Sequence, residues 1–416
     1  MIIGQEDVPL KLKYNTRKTC LICSSPVKEI VDLGLHSFAD TFIPRSQRDL
    51  VEPIFPLVCQ LCSECSLVQL KHCTSDQARY NLYPYSYTSS NSDYSRSHWQ
   101  LFSELISKRN DTKKSFVLEI GSNDGYLLSL LKDHVSRAIG YDSSKEMTKI
   151  ARDRGIEVYQ ESFDGATAKK ICARHGRAEF VIANNVVNHS NDPVDFVRGV
   201  KTVLADGGVF IFEVPYWLET VRSLHFDQIY HEHVTYFTVR SIVELLKKAE
   251  LEISNITLND YHGGSLRVEA VHASGSEHSS CVDSFMAQEA ELRLANLNSY
   301  IDYFANIKLK RSRFMLELLT LINANPRAQI VGVGAAAKAN TLITFYGLNS
   351  SLLSFITDAS PFKVGKYTPL TRVPILGDDA ICGLENVIAI ILSWNISDSL
   401  KNRILNLNNK VQFVDL

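Results

Sequence analysis

The sequence predicts an α/β chain, with a Rossmann-like, mostly parallel sheet flanked by a cysteine-rich head and by a second Rossmann-like α/β unit. Three observations carry this reading. Six of the nine cysteines lie within the first 73 residues, apolar runs alternate with amphipathic segments from Ser115 onward, and a second alternating stretch opens at Ala328. With 416 residues the chain exceeds one ordinary core. Bounds are expected at 1–76 for the head, 77–280 for the first sheet, and 281–416 for a spacer helix with the second sheet.

Composition narrows the partners. A formal net charge of −2 argues against a broad basic surface for nucleic acid or anionic membrane, so a small-molecule substrate is expected. The opening MIIGQEDVPLKLKYNTRK has no apolar targeting core, and no stretch approaches roughly eighteen uninterrupted apolar residues. A cytoplasmic protein is expected, monomeric or weakly homo-oligomeric.

In the head, Cys20-Leu-Ile-Cys23 and Cys62-Ser-Glu-Cys65 each offer two thiolates across a tight turn, the spacing of a tetrahedral Zn²⁺ site. Cys59 creates a competing Cys59–Cys62 pair, so spacing alone leaves the later two ligands open. A four-sulfur site has no vacant position, so its zinc is expected to be structural and to fold a module whose core is too small to hold alone. Cys172, Cys281 and Cys382 are scattered and read as packing or surface residues. The tyrosine-rich stretch from Tyr80 to Trp99 reads as a loop or linker.

The first sheet follows in order. SFVLEI, AIGYD, FVIANN and GGVFIFEVP read as strands alternating with helices, and LEISNITLND with GGSLRVEAVHA reads as a closing antiparallel hairpin. Seven strands ending in such a hairpin are the outline of a class I methyltransferase. The first strand runs into the turn Gly121-Ser-Asn-Asp-Gly125, an E-x-G-x-N-D-G pattern that gathers Glu119, Gly121, Asn123, Asp124 and Gly125 where backbone must approach a ligand. Asp142 ends the next strand, placed to grip two ribose hydroxyls. Together these predict S-adenosylmethionine as cofactor. No phosphate-cradling lysine follows the turn, which argues against a P-loop.

Two clusters fall where such a sheet offers its active site. Asn184-Asn185-Val-Val-Asn-His189 follows the fourth strand, with Asn184 and Asn185 on the cofactor side, and Asp227-Gln-Ile-Tyr230-His-Glu232-His233 follows the fifth. In a regular strand Glu232 and His233 would point to opposite faces, so joint action requires a turn. A solvated His/Glu segment and a His-x-His metal site are the alternatives. Behind the spacer, Gly332-Val-Gly-Ala-Ala-Ala337 reads as G-x-G-x-x-A with Asp358 after the next strand, a possible dinucleotide site. Lys338, Lys363 and Lys366 would equally suit the pyrophosphate of a sugar nucleotide, and a scaffold domain without ligand is the third reading.

Taken in order, the two CxxC turns, Ser66-Leu-Val-Gln-Leu70, the Tyr/Ser-rich segment, EIGSNDG, IYHEH, HGGSLR at 262–267, GAAAKANTL and DASPFKVGKYTP resemble the C-methyltransferases that act on nucleoside-diphosphate keto-sugars. The resemblance covers nearly the whole chain. It implies methyl transfer to a sugar carbon, usually C-3, beside a C-4 ketone of a deoxysugar. It also implies His233 as base, Glu232 as the group that orients it or holds the sugar, and Tyr230 and His189 as donors near the carbonyl. Which histidine is the base stays open between His233 and His189. Tyr85 and Tyr87 match the family's Tyr-x-Tyr segment loosely, and His262, Arg267 and the three lysines fall on the substrate side. Cys59, and Ser143 after Asp142 where the family often has proline, depart from the pattern. The rival functions are an NAD-dependent oxidoreductase using the C-terminal glycine turn, a non-catalytic zinc-anchored assembly protein, and a methyltransferase for another acceptor.

Overall fold

The computed structural model describes residues 14–49, 51–81, 86–90, 92–109, 112–274 and 280–416. In the head, strands β1 (Lys28–His36), β2 (Phe55–Leu61) and β3 (Val68–Leu70) pair antiparallel, and Thr235–Tyr236 from the middle of the chain joins the β3 edge. The head therefore borrows a strand from the region it serves.

The central sheet contains β4 (Phe116–Ile120), β5 (Arg137–Asp142), β6 (Glu157–Gln160), β7 (Ala178–Asn184), β8 (Leu204–Pro215), β9 (Leu251–Asn259) and β10 (Ser265–His272). Their order is β9-β10-β8-β7-β4-β5-β6, parallel except for β10. The strand order reverses between β4 and β7, and at such a switch point the loops leaving the two strands diverge and open a crevice. β4 is buried at all five positions, as expected for a strand covered on both faces. Strand β6 was not singled out by pattern because only Val158 of its four residues is buried, which leaves no apolar run. Helix starts follow their caps: Ser144 accepts from Met147 N, Asp164 from Thr167 N, and Thr238 with Ser241 forms a capping box.

The expected single spacer helix is two helices, Ser280–Glu291 and Leu297–Ala324. Arg293 adopts a left-handed φ of 53° between them, and Asn296 caps the second helix by accepting from Asn298 N. The last unit has strands β11 (Gln329–Val333), β12 (Phe355–Thr357), β13 (Ile375–Leu376), β14 (Val387–Ile391) and β15 (Val411–Val414), all parallel in the order β13-β12-β11-β14-β15. A short antiparallel ladder, Lys366–Tyr367 on Ile43–Pro44, ties this unit to the head.

The head has little core of its own. Cys20, Ile22, Cys62, Cys65 and Leu67 belong to the apolar cluster of the central sheet, whereas Val31, Leu33, Leu57 and Leu70 join Trp217, Tyr300 and Ile343 in the cluster of the C-terminal unit. Among the described residues no helix is long and apolar enough to cross a membrane.

Candidate active site

A cavity of about 360 Å³ lies at the carboxyl edge of the central sheet. Its wall takes Glu119–Asn123, Asp142–Ser144 and Asn184–Val186 from the loops after β4, β5 and β7, the side chains of Gln228, Tyr230, Glu232 and His233, and residues of the C-terminal unit. This is the switch-point crevice that the strand order creates.

At the cofactor end, Gly121 has a φ of +68°, and a Cβ there would stand 2.3 Å from Val186 Cγ2, so only glycine passes the chain through this turn. Asp142 accepts from Asn123 N and Ser144 N, each at 2.8 Å, and burial pushes its carboxyl up to about 6. Two carboxylate lone-pair positions remain for a diol. Burial, with Asp124 and Asp142 close by, raises Glu119 well above the usual carboxylate range. Buried polar atoms of Glu119, Ser122, Asn184 and Asn185 have no hydrogen-bond partner among the described residues. Native proteins rarely leave such groups unmade, so this cluster suits a polar ligand such as the cofactor's amino acid portion.

Two residues of the turn serve other ends. Asp124 does not line the cavity; it is fully enclosed, accepts from the hydroxyls of Ser89 and Ser90, and pairs with Arg154 at 3.1 Å. Gly125 lies against the helix Lys145–Asp153, where a Cβ would come 2.9 Å from Ala151 Cβ. Asn123 completes the arrangement by accepting from Ser89 N and donating to Tyr87 O. Asn123 and Asp124 thus hold residues 87–90 as a strap over the cofactor turn.

The segment from Gln228 to His233 is a turn, closed by His233 N donating to Tyr230 O at 3.0 Å. Glu232 and His233 are therefore both free to face the cavity. His233 Nδ1 lies 2.9 Å from the Gln228 carbonyl and its Nε2 lies 2.7 Å from Tyr230 OH. A carbonyl only accepts, so Nδ1 carries the proton and Nε2 keeps its lone pair. Burial pushes the imidazole down to about 4, which leaves it neutral at pH 7. The expectation that Glu232 orients this ring needs correction, because the Gln228 backbone fills that place. Glu232 instead accepts from Asp40 N at 3.1 Å and Ala39 N at 3.5 Å, clasping the head, and burial raises it to about 7. His189 is half-buried, desolvation holds it well below its ordinary pKa, and its ring centre is 5.0 Å from that of His233.

Lys338 lines the far side, with Nζ 3.8 Å over the Trp394 ring, and burial pushes it down to about 8. Lys363, His262 and Tyr87 also reach the wall. Two expected substrate residues do not. Arg267 is turned onto Glu213 at 2.6 Å, a buried carboxylate shared with His98, and Lys366 lies in the ladder to the head. Tyr85 lies outside the described residues. Asp358 repeats the geometry of Asp142, accepting from Ala335 N at 2.7 Å and Ser360 N at 2.8 Å. Asp40, Tyr80 and Gln228 were missed by sequence reasoning. Gln228 acts through its carbonyl, which every residue carries, so it leaves no side-chain signal.

In the head the sulfur pairs Cys20–Cys65, Cys23–Cys62 and Cys23–Cys65 are 3.5, 3.4 and 3.8 Å apart, and all four sulfurs lie within 4.8 Å of one another. A tetrahedral site with Zn–S bonds of about 2.3 Å has sulfur separations of about 3.8 Å, so these four thiols fit zinc. Cys59 lies on β2, wholly buried and outside the cluster, which removes the competing pair.

Three known families match in succession: a zinc binding domain over residues 20–80, a methyltransferase domain over 94–255, and a C-methyltransferase C-terminal domain over 260–414. C-methyltransferase NovU of Streptomyces niveus is 27% identical over 399 residues, 95% of this chain and 93% of that protein. A "probable S-adenosylmethionine-dependent methyltransferase" of Mycolicibacterium smegmatis is 27% identical over 150 residues, 36% of this chain and 56% of that one. Among solved structures, an S-adenosylmethionine-dependent methyltransferase from Clostridium acetobutylicum covers 44% of this chain and 94% of its own at 15% identity, with a TM-score of 0.36, too slight a likeness to carry an argument. The last of the three families takes in the C-terminal glycine turn that could have served a dinucleotide. With a four-thiol zinc site, a class I sheet and that terminal domain in one chain, the protein carries the three parts of a C-methyltransferase and is similar over nearly its whole length to C-methyltransferase NovU.

Proposed function

We propose that the acceptor is a nucleoside-diphosphate 4-keto-deoxysugar, methylated at the carbon beside its ketone, C-3. The single observation that carries this is the neutral His233, whose Nε2 keeps its lone pair and accepts from Tyr230 OH in the cavity that also holds the cofactor turn. A nitrogen or oxygen acceptor already has a lone pair, whereas a carbon acceptor needs a base to make one. The bound cofactor supplies an electrophilic methyl group on sulfonium. When the sugar binds, the Tyr230 hydroxyl turns from His233 Nε2, 2.7 Å away, to donate to the ketone oxygen, and the freed Nε2 lone pair takes the proton from the sugar carbon. His189 donates to the ketone oxygen as negative charge grows there. Lys338 and Lys363 hold the pyrophosphate on the C-terminal side, with His262 and Tyr87 beside the sugar. Asp142, Glu119, Asn184 and Asn185 hold the cofactor. The units at 1–76, 77–280 and 281–416 then divide the work into a clasp, a cofactor site and a nucleotide site.

The test is incubation with methyl-labelled S-adenosylmethionine and a panel of 4-keto-6-deoxy sugar nucleotides. Label on the carbon next to the ketone is expected. Label on oxygen or nitrogen, or binding of NAD with no methyl transfer across the panel, would refute this acceptor.

A further inference from the structure

Two tyrosine–histidine pairs face one cavity, and they use opposite ring nitrogens. In one, Tyr230 OH meets His233 Nε2 at 2.7 Å. In the other, Tyr80 OH meets His189 Nδ1 at 2.6 Å, with the two rings stacked at an interplanar angle of 10°. Tyr80 sits at the end of the short helix Asp76–Asn81 that leaves the head.

The direction of the second hydrogen bond follows from its neighbours. A phenol donates more strongly than it accepts, and the Arg79 cation close by makes the Tyr80 oxygen a poorer acceptor still. The hydroxyl proton of Tyr80 is therefore free to go to His189 Nδ1, which must then carry the lone pair. A neutral imidazole has one proton, so it sits on Nε2, a nitrogen that no described residue engages. Arg79 is itself fixed: its side chain is fully enclosed, ion-paired to Asp76, and donates to Thr74 O, Asn191 Oδ1 and the carbonyl of His189. The same arginine thus anchors the backbone of His189 and lies over the ring of Tyr80, 5.7 Å from its centre.

We propose that Tyr80, beside Arg79, is a positioning residue that fixes His189 as an Nε2–H donor opposite the Nε2 lone pair of His233. The cavity then offers a base and a hydrogen-bond donor from two imidazoles of the same charge but opposite tautomer. This rests on the keto-sugar reading above. In that reaction the C–H pair moves to form C=C, the carbonyl π pair moves onto oxygen, and the proton passes to His233. The enolate oxygen accepts from His189 without taking its proton. As the carbon takes the methyl group, C=O re-forms, the sulfonium sulfur keeps the electron pair of its broken bond, and the proton on His233 leaves to water.

Tyr80→Phe keeps the stacked ring and removes only the hydroxyl. In ¹⁵N-histidine-labelled protein, NMR should show His189 protonated at Nε2 in the native chain and as a tautomer mixture in Tyr80→Phe. Turnover should fall about tenfold to a hundredfold while the Kd for S-adenosylmethionine is unchanged. In a His189→Gln background, where an amide donates without any tautomer to set, Tyr80→Phe should change turnover by less than about twofold. A native His189 protonated at Nδ1, or an equal loss from Tyr80→Phe in both backgrounds, would overturn the proposal. The NMR measurement needs no substrate. If it finds the stated tautomers but no keto-sugar is methylated, the Tyr80–His189 assignment stands and only the acceptor fails.

Discussion

At the scale of residues the account turns on two imidazoles that burial keeps neutral. His233→Ala should lower turnover by roughly two to four orders of magnitude while S-adenosylmethionine binds nearly as before, measured by steady-state kinetics and calorimetry. Near-native turnover would remove His233 from the reaction. The pH dependence follows from the same environment. Because burial lowers His233 to about 4, its base form is already complete at pH 5, and it contributes no acid limb near neutrality. Glu232, raised to about 7, changes charge between Asp142 at about 6 and Lys338 at about 8, and only its ionised form accepts fully from both amides of the head. Activity should therefore fall modestly below pH 7, and Glu232→Gln should abolish that step. An inflection near pH 7 unchanged in position and size by Glu232→Gln would contradict the assignment of that step to Glu232.

At the scale of elements, the proposed cofactor site is a strand, a turn and a strand end, all features that local sequence marks. Gly121 and Asp142 stand out by residue type and by spacing from β4 and β5. Gly121→Val adds a side chain both to a left-handed φ and to space already filled by Val186, and Asp142→Ala removes a carboxylate from the ribose. Each should weaken S-adenosylmethionine binding by at least about tenfold, the scale of a lost charge-assisted hydrogen bond. Unchanged affinity for both variants in calorimetry would move the site elsewhere. Asp124 and Arg267 look equally functional in the sequence, yet each closes a structural pair. Charge and position suggest a site, whereas the partner that claims the charge is set by tertiary packing. The break at Arg293 was illegible for a similar reason, since neither Gly nor Pro marks it.

At the scale of the whole molecule, the head is held between two cores and reaches the active site through Ala39 and Asp40, which Glu232 and Asn340 grip from the two larger units. The four-thiol site was legible because ligand spacing is local. This clasp was not, because backbone amides and a carboxylate about 190 residues away leave no pattern. One tightly held zinc per chain is expected, and Cys62→Ser should lower Tm by about 5 °C or more and reduce turnover. Less than about half an equivalent of zinc in undamaged protein would count against the site. The central claim, that the acceptor is a carbon acid and His233 its base, is tested most directly without any methyl donor. In deuterated water the native enzyme should exchange the proton beside the ketone of its sugar nucleotide, seen as loss of that proton's NMR signal, and His233→Ala should not. Exchange that persists in His233→Ala but disappears in His189→Ala would contradict the account and make His189 the base.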